Sequence, residues 1–202
     1  MENKTTSEPK VIQVVGYKNT GKTTMTAALI AGLASKGLKV AAIKHDGHDH
    51  FEMDQEGTDS FQFGKAGATA VAVMSEKRTA IIKQHNTRLD DMLSQFSDYD
   101  WIVIEGFKNA PYPKLVMVRE ADDRTLVRKL QQVVGVVFWA PELLKEAEML
   151  NVHIEKDQHI SKKAMASFLF HEREVIVEAL LQLQLTNVKY DENETSIEDK
   201  PF

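Results

Sequence analysis

Two hydrophobic periods alternate along the chain. Val11–Val15 is a short, β-branched apolar run ending at Gly16, which predicts a buried strand. After a polar loop, Met25, Ala28, Leu29, Gly32 and Leu33 recur at helical spacing, and Gly37 after Lys36 stands where a helix would be capped. Leu38–Ile43 reads as a second buried strand. A polar stretch, Lys44–Gly57, then mixes His45, His48 and His50 with Asp46, Asp49 and Asp54. A short helix is expected over Asp59–Lys65, followed by a hairpin of strands Thr69–Met74 and Thr79–Lys83 and a helix over Arg88–Phe96. Strands are expected at Trp101–Ile104, Lys114–Val118 and Val133–Phe138, a helix at Glu142–Leu150, and a last short strand at Val152–Ile154. A long helix from near Ser161 to about Leu185 would place Met165, Phe168, Leu169, Ile176, Ala179, Leu180 and Leu183 on one face. Strands alternating with helices predict an α/β fold, a mostly parallel sheet with helices on both faces. In such sheets ligands sit beyond the carboxyl ends of the strands.

Length and charge refine this outline. The 202 residues suit one domain with appendages: a flexible N-terminus over 1–10, the working domain over 11–185, and an acidic, disordered tail over 186–202. The net charge is −5, which argues against nucleic acid or an anionic membrane as a bulk partner. Five acids and two lysines in the tail account for more than half of that charge, so the working domain is only mildly acidic. There is no cysteine, hence no disulfide framework, thiolate metal site or cysteine nucleophile. No apolar run approaches the roughly 18 residues of a membrane span, and Met1–Lys10 lacks the apolar core of a secretory signal. A soluble, cytoplasmic protein is expected.

The loop after the first strand carries the most specific signal. Gly16-Tyr17-Lys18-Asn19-Thr20-Gly21-Lys22-Thr23 fits G-x-x-x-x-G-K-[ST], and Thr24 follows. Glycines at both ends let the backbone curl so that successive N–H groups face phosphates. Lys22 places a point charge on the β/γ-phosphates, and the Thr23 hydroxyl can ligate Mg²⁺. A helix opening at about Lys22 adds its positive end. Lys18 either touches phosphate or stays solvated. The expected context is present, with an apolar strand ending at the first glycine and an amphipathic helix opening at the lysine.

Mg²⁺ takes hard oxygen ligands, often a hydroxyl and a carboxylate at a neighbouring strand end. Trp101-Ile102-Val103-Ile104-Glu105-Gly106 supplies that pattern, and Glu105 is the leading metal-facing acid. Asp46, after the second strand, is another candidate. The stretch around His45, His48 and Asp49 reads either as a transition-metal site or as a polar ligand-binding loop. Asp54, Gly57, Asp59 and Ser60 read as a loop folding around a second ligand or the γ-phosphate. No Asn-Lys-x-Asp element for reading guanine occurs anywhere in the chain, so the residues leave the base open. Trp139 either stacks on a base or packs. No glutamine or arginine is placed by motif to orient water, and hydrolysis is expected to be slow.

Four segments together resemble the MobB family of molybdopterin-guanine dinucleotide biosynthesis adaptor proteins. They are Gly16–Thr24, Ile43-Lys44-His45 with its His/Asp-rich loop, Asp54-x-x-Gly57-x-Asp59-Ser60 with Lys65-Ala66-Gly67-Ala68, and Ile104-Glu105-Gly106-Phe107-Lys108. The resemblance spans roughly residues 11–155. It implies a P-loop NTPase fold of the SIMIBI type, GTP and Mg²⁺ as cofactors, weak GTPase activity and a homodimer. It also implies assistance to the guanylyltransferase MobA in attaching GMP to molybdopterin. Carried over by position, Gly21, Lys22, Thr23 and Thr24 hold phosphate and metal and Glu105 faces the metal. Lys44 to Asp59 form a loop near nucleotide or partner, with Gly106 and Lys108 beside it. The Gly47-His48-Asp49-His50 sequence departs from the adjacent histidines expected there. Two readings of another class remain open, a dethiobiotin-synthetase-like ATP-dependent ligase and a nickel metallochaperone GTPase.

Overall fold

A computed structural model describes residues 8–47, 51–149 and 165–183. In chain order the strands are β1 (Lys10–Val15), β2 (Val40–Lys44), β3 (Ala70–Met74), β4 (Thr79–Lys83), β5 (Trp101–Glu105), β6 (Lys114–Val118), β7 (Val133–Phe138) and β8 (Ala166–Leu169). The helices are α1 (Lys22–Ser35), α2 (Asp59–Lys65), α3 (Leu89–Gln95), α4 (Arg124–Lys129), α5 (Pro141–Met149) and α6 (Arg173–Gln182). The chain divides into two compact units, one up to His45 and from Gln95 onward, the other Asp46–Ser94. The sequence reading did not separate this second unit from the rest.

The first unit is built on a six-stranded, wholly parallel sheet in the order β2-β5-β1-β6-β7-β8. Period-2 alternation divides its strands between two cores. Ile12 and Val14 of β1, Trp101 and Val103 of β5, and Leu115 and Met117 of β6 pack with Met25, Leu29 and Leu33 of α1 and Ile176, Val177 and Leu180 of α6. Val15, Val116, Val118, Val136 and Phe138 turn the other way, onto Leu126 and Val127 of α4 and Leu143, Leu144 and Ala147 of α5. Near-continuous apolar strands are what a sheet covered on both faces requires. α1 ends where glycine spacing predicts, with Gly37 at φ 79° donating its N–H to Ala34 O.

Two expectations are corrected. The predicted helix from Ser161 to Leu185 is interrupted: residues 166–169 are β8, and α6 begins only at Arg173. Met165, Phe168 and Leu169 fit helical spacing, but a four-residue apolar run fits a buried strand equally well. As a strand, β8 completes a ladder on β7 and sends Phe168 to one core and Leu169 to the other, a division no helix face can make. Glu172 closes the turn, its Oε2 accepting the Leu169 N–H at 2.7 Å. The second correction is α4, which the hydrophobic pattern missed because six residues offer only Leu126 and Val127 to the core. A 3₁₀ turn, Ala121–Asp123, leads into it, and the buried Asp123 carboxylate accepts the N–H groups of Arg119 and Glu120. The strand expected at Val152–Ile154, the start of the helix expected at Ser161, and the 186–202 tail lie outside the described residues.

The second unit pairs β3 with β4 as an antiparallel hairpin, Ala70 opposite Lys83 and Met74 opposite Thr79. α2 is N-capped by Thr58, whose hydroxyl accepts the Phe61 N–H. Among the described residues no helix is long and apolar enough to cross a membrane.

Gly32 sets the approach of α1 to α6, since a Cβ there would lie 2.6 Å from Val177 Cγ2. Gly32→Ala gains ~1 kcal/mol of helix propensity but overpacks a buried contact at a cost of ~1–3 kcal/mol. In urea unfolding it is expected to destabilise the wild type by about 1 kcal/mol, whereas in a Val177→Ala background the same change should stabilise. An equal effect in both backgrounds would contradict this packing.

Candidate functional site

Three neighbouring strand ends assemble the site. After β1 the chain turns tightly, because a Cβ on Gly16 would stand 2.5 Å from Thr20 Oγ1 and 3.0 Å from Met117 Cβ. Asn19 and Gly21 adopt left-handed backbone, φ 64° and 86°, which suits these two residue types. Thr20 is buried and donates its hydroxyl to Tyr17 O at 2.9 Å. α1 then opens at Lys22 with no side-chain cap and no acid in its first turn. Its positive end is left facing the loop without a capping group, the arrangement that attracts an anion.

Lys22 folds over its own loop, Nζ donating to Tyr17 O at 2.7 Å. Burial is the main reason its pKa lies below the ordinary lysine value. Glu105 acts in the opposite sense, and Lys108 and Lys44 lower it further. Glu105 ends β5, is only 7% exposed, and accepts the Thr23 hydroxyl at 2.9 Å. Lys44, its register partner at the end of β2, brings Nζ to 3.7 Å from the same carboxylate oxygen. The next residue is Gly106 at φ 99°, where a Cβ would meet His45 Cβ at 2.9 Å. The His45 ring lies against Phe107, centroids 4.4 Å apart, and Lys108 Nζ sits 4.9 Å from the Tyr17 ring. From within β1, buried Gln13 donates Nε2 to the carbonyls of Gly106 and Phe107 at 3.0 and 2.7 Å.

A further wall comes from β6, β7 and β8. Arg119, just past β6, donates to Asn19 O at 2.8 Å, and Trp139, just past β7, donates its indole N–H to Thr20 O at 2.8 Å. The Arg119 guanidinium lies 4.9 Å from the Trp139 ring, which stacks on Phe170 at 4.0 Å. A Cβ on Gly21 would strike Trp139 at 2.7 Å and approach Phe170 at 3.1 Å. Trp139 thereby packs against the loop and buttresses it. Arg119, Phe170 and Gln13 were not singled out in the sequence. The available signal for Arg119 was its place directly after a strand reaching the ligand edge.

The structure thus brings Lys22, Thr23, Lys44, Glu105 and Lys108 together, while Lys18 and Thr24 stay exposed. Asp46, Asp54, Gly57 and Asp59 belong to the second unit. There Asp54 Oδ1 accepts from the Gln55 N–H and from the hydroxyls of Thr58 and Ser60 at 2.9–3.0 Å. Desolvation opposes its charge, but the bonds from Ser60, Gln55 and Thr58 outweigh it and hold the pKa low. Asp54 therefore organises the turn before α2, with Gly57 at φ 93° inside it, and Asp59 supplies the acid of the helix's first turn. His48 and Asp49 lie outside the described residues. Among the described residues no group of three or more His, Asp or Glu is arranged to hold a metal ion.

The sequence model of molybdopterin guanine dinucleotide synthesis protein B matches residues 11–139. The chain belongs to the MobB family. It is 30% identical over 145 residues to a probable molybdopterin-guanine dinucleotide biosynthesis adapter protein of Bacillus subtilis, covering 70% of this chain and 83% of that one. It is 36% identical over 124 residues to a putative adapter protein of the same description from Methanocaldococcus jannaschii, covering 58% of this chain but only 51% of that longer relative. The crystal structure of Bacillus subtilis MobB superposes with a TM-score of 0.62 at 27% identity, covering 90% of this chain and 99% of that chain. The fold is the α/β P-loop NTPase fold of MobB proteins, and the segment from β1 to Trp139 that matches the family contains the loop, Glu105 and Arg119.

The electrostatics of Lys22 make a prediction. Glu105 is the leading influence that raises its pKa, so Glu105→Gln leaves burial and the lysine neighbours opposed only by the weaker influence of Asp123. The Lys22 pKa should fall further, so that the ammonium loses its proton at lower pH than in the wild type. A ¹³C NMR titration of the lysine Cε resonances would read this, and an unchanged or raised value would contradict the arrangement.

Proposed function

We propose that this MobB protein is a GTP-binding adapter with weak, Mg²⁺-dependent GTPase activity that assists guanylyl transfer to molybdopterin in the cytoplasm. The observation that carries the nucleotide reading is the Thr23–Glu105 pair, a hydroxyl and a buried carboxylate 2.9 Å apart beside an uncapped helix start. These are hard oxygen donors of the kind Mg²⁺ takes, and they sit directly after the phosphate-loop lysine. Thr23 and Glu105 would hold the ion, which when bound neutralises charge on the β- and γ-phosphate oxygens. The backbone N–H groups of Gly16–Thr23 cradle the phosphates. Lys22 leaves Tyr17 O to reach them, and Lys44 and Lys108 add positive charge at the rim.

Slow turnover follows from what the neighbouring residues already do. Arg119, the arginine nearest the loop, is committed to Asn19 O and the Trp139 ring. An arginine supplied to phosphate is worth several orders of magnitude in rate. The reading of an adapter over an enzyme rests on this and on the names of the two relatives, a probable and a putative adapter protein. Association with MobA and molybdopterin is inferred from that family role.

Isothermal titration with GTP and ATP, each with and without Mg²⁺, tests the reading. Mg²⁺-dependent preference for GTP is expected, and Lys22→Ala should weaken binding at least 100-fold, ~2.7 kcal/mol. Clear preference for ATP would overturn the adapter reading in favour of an ATP-dependent ligase.

We also infer a homodimer formed through the β3–β4 hairpin. A two-stranded hairpin is marginal alone, and here Val73, Met74 and Ile81 are exposed on it, Met74 at 76%. Sedimentation equilibrium should give a dimer for the wild type and a monomer for Ile81→Lys. A dimer unaffected by that change would remove the hairpin from the interface.

A further inference from the structure

A second basic cavity borders the nucleotide edge and shares Lys108 with it. Lys108, Asn109, Ala110, Lys114, Lys129, Leu130 and Gln131 line a cavity of about 270 Å³. It sits between the 106–113 loop, the start of β6 and the turn from α4 to β7, and no acid is among its lining residues. None of them belongs to Gly16–Thr24.

Lys114 is the unusual member. It is the first residue of β6 and only 1% exposed. Its Nζ donates to Ala110 O at 2.5 Å and Tyr112 O at 2.8 Å. An ammonium has three N–H groups, and among the described residues only these two acceptors are found for them. Among the described residues no carboxylate pairs with it either, and burial lowers its pKa to about 8. Its register neighbour on β1 is Gln13, whose Oε1 is also buried without a hydrogen-bond partner. The buried Lys114 donor short of an acceptor is costly unless something else supplies one, whereas the Gln13 oxygen, an acceptor outside the cavity lining, calls for a donor and adds nothing for an anion.

We propose that this cavity binds a phosphate group, either free phosphate or the head of a small phosphate monoester, with Lys114 at its floor and Lys129 at its rim. Lys108 rests its ammonium by Tyr17, so two lysine charges are committed to the cavity. They match the two negative charges that a phosphate monoester carries near neutral pH. Asn109 and Gln131 add neutral amide donors. The C-terminus of α4 opposes an anion here, but that helix has six residues, and Arg128 and Lys129 in its last turn offset it. The volume of about 270 Å³ exceeds what one phosphate tetrahedron fills, which leaves space for a small organic substituent.

The test is a ¹H–¹⁵N NMR titration of the full chain at constant ionic strength, with inorganic phosphate, glycerol 3-phosphate and succinate as probes. It is run on the wild type and on Lys22→Ala, so that binding at the nucleotide loop is separated from binding here. Saturable shifts at Asn109, Ala110, Gln131 and Gln132 are expected with either phosphate in both proteins. Tighter binding of glycerol 3-phosphate would identify a monoester site, and equal binding a site for the free phosphate group. Lys114→Met and Lys129→Gln should each weaken the response at least tenfold. Lys129 is exposed, so its variant carries the test even if Lys114→Met fails to fold. Absence of saturable shifts in this segment, an equal response to succinate, or an unchanged response in Lys129→Gln would overturn the proposal. The outcome is independent of whether the nucleotide loop prefers GTP.

Discussion

The hydrogen bond from Thr23 to Glu105 ties the start of α1 to the end of β5, and the rest of the nucleotide edge is arranged around that buried carboxylate. An ionised group 7% exposed is costly to bury unless positive charge and hydrogen bonds surround it. Here Lys44 lies 3.7 Å away, and Glu105 is the leading influence opposing the loss of charge on Lys22. The same carboxylate therefore supports the charge of the loop lysine and, in the proposed function, would present an oxygen to a cation. Its two tasks explain why a glycine follows it: at position 106 any side chain would collide with His45 and displace the segment that carries Lys44.

The loop itself is held from outside as well as from within. Thr20 bonds back to Tyr17, while Trp139 and Arg119 bond to the carbonyls of Thr20 and Asn19. These last two bonds come from residues about 120 and 100 positions away, delivered by β7 and β6. Taking up those two carbonyls on the outer side is compatible with N–H groups turned inward, and it needs no ligand to hold the curl. Phosphates would then meet a preorganised cradle, which lowers the ordering cost of binding.

What was legible in the sequence was whatever is encoded locally. The glycine spacing from Gly16 to Gly21, the hydroxyl after Lys22 and the strand-end acid at Glu105 are short patterns tied to one turn or one strand, and each lies where its pattern places it. Trp139 was noticed, but the wall it forms with Arg119 and Phe170 was not legible because it depends on β6, β7 and β8 being neighbours, a property of sheet order that no window of sequence holds. β8 was misread for a related reason: its apolar residues satisfy a helical period, and only the free edge of β7 makes the extended form better. Lys114 was hidden by its context, a charged residue opening an otherwise apolar strand, where exposure at a strand end is the ordinary outcome.

The 106–113 loop joins the two basic regions, and β1 holds it at both ends. Gln13 bonds the carbonyls of Gly106 and Phe107 with its side chain and that of Pro113 with its backbone N–H. One buried residue in the central strand therefore sets the end of the loop that follows Glu105 and the end that precedes Lys114. Between those anchors the loop carries Lys108, whose charge acts on Lys22 while the residue lines the second cavity. An anion in the cavity that drew Lys108 towards it would relieve a repulsion on Lys22. A loop pinned at two points over eight residues can shift such a charge only by local movement, without displacing the strands. Coupling of this kind needs no change of fold, only a side chain with two competing anions in reach, and reciprocity then requires a ligand in the nucleotide loop to act back on the cavity.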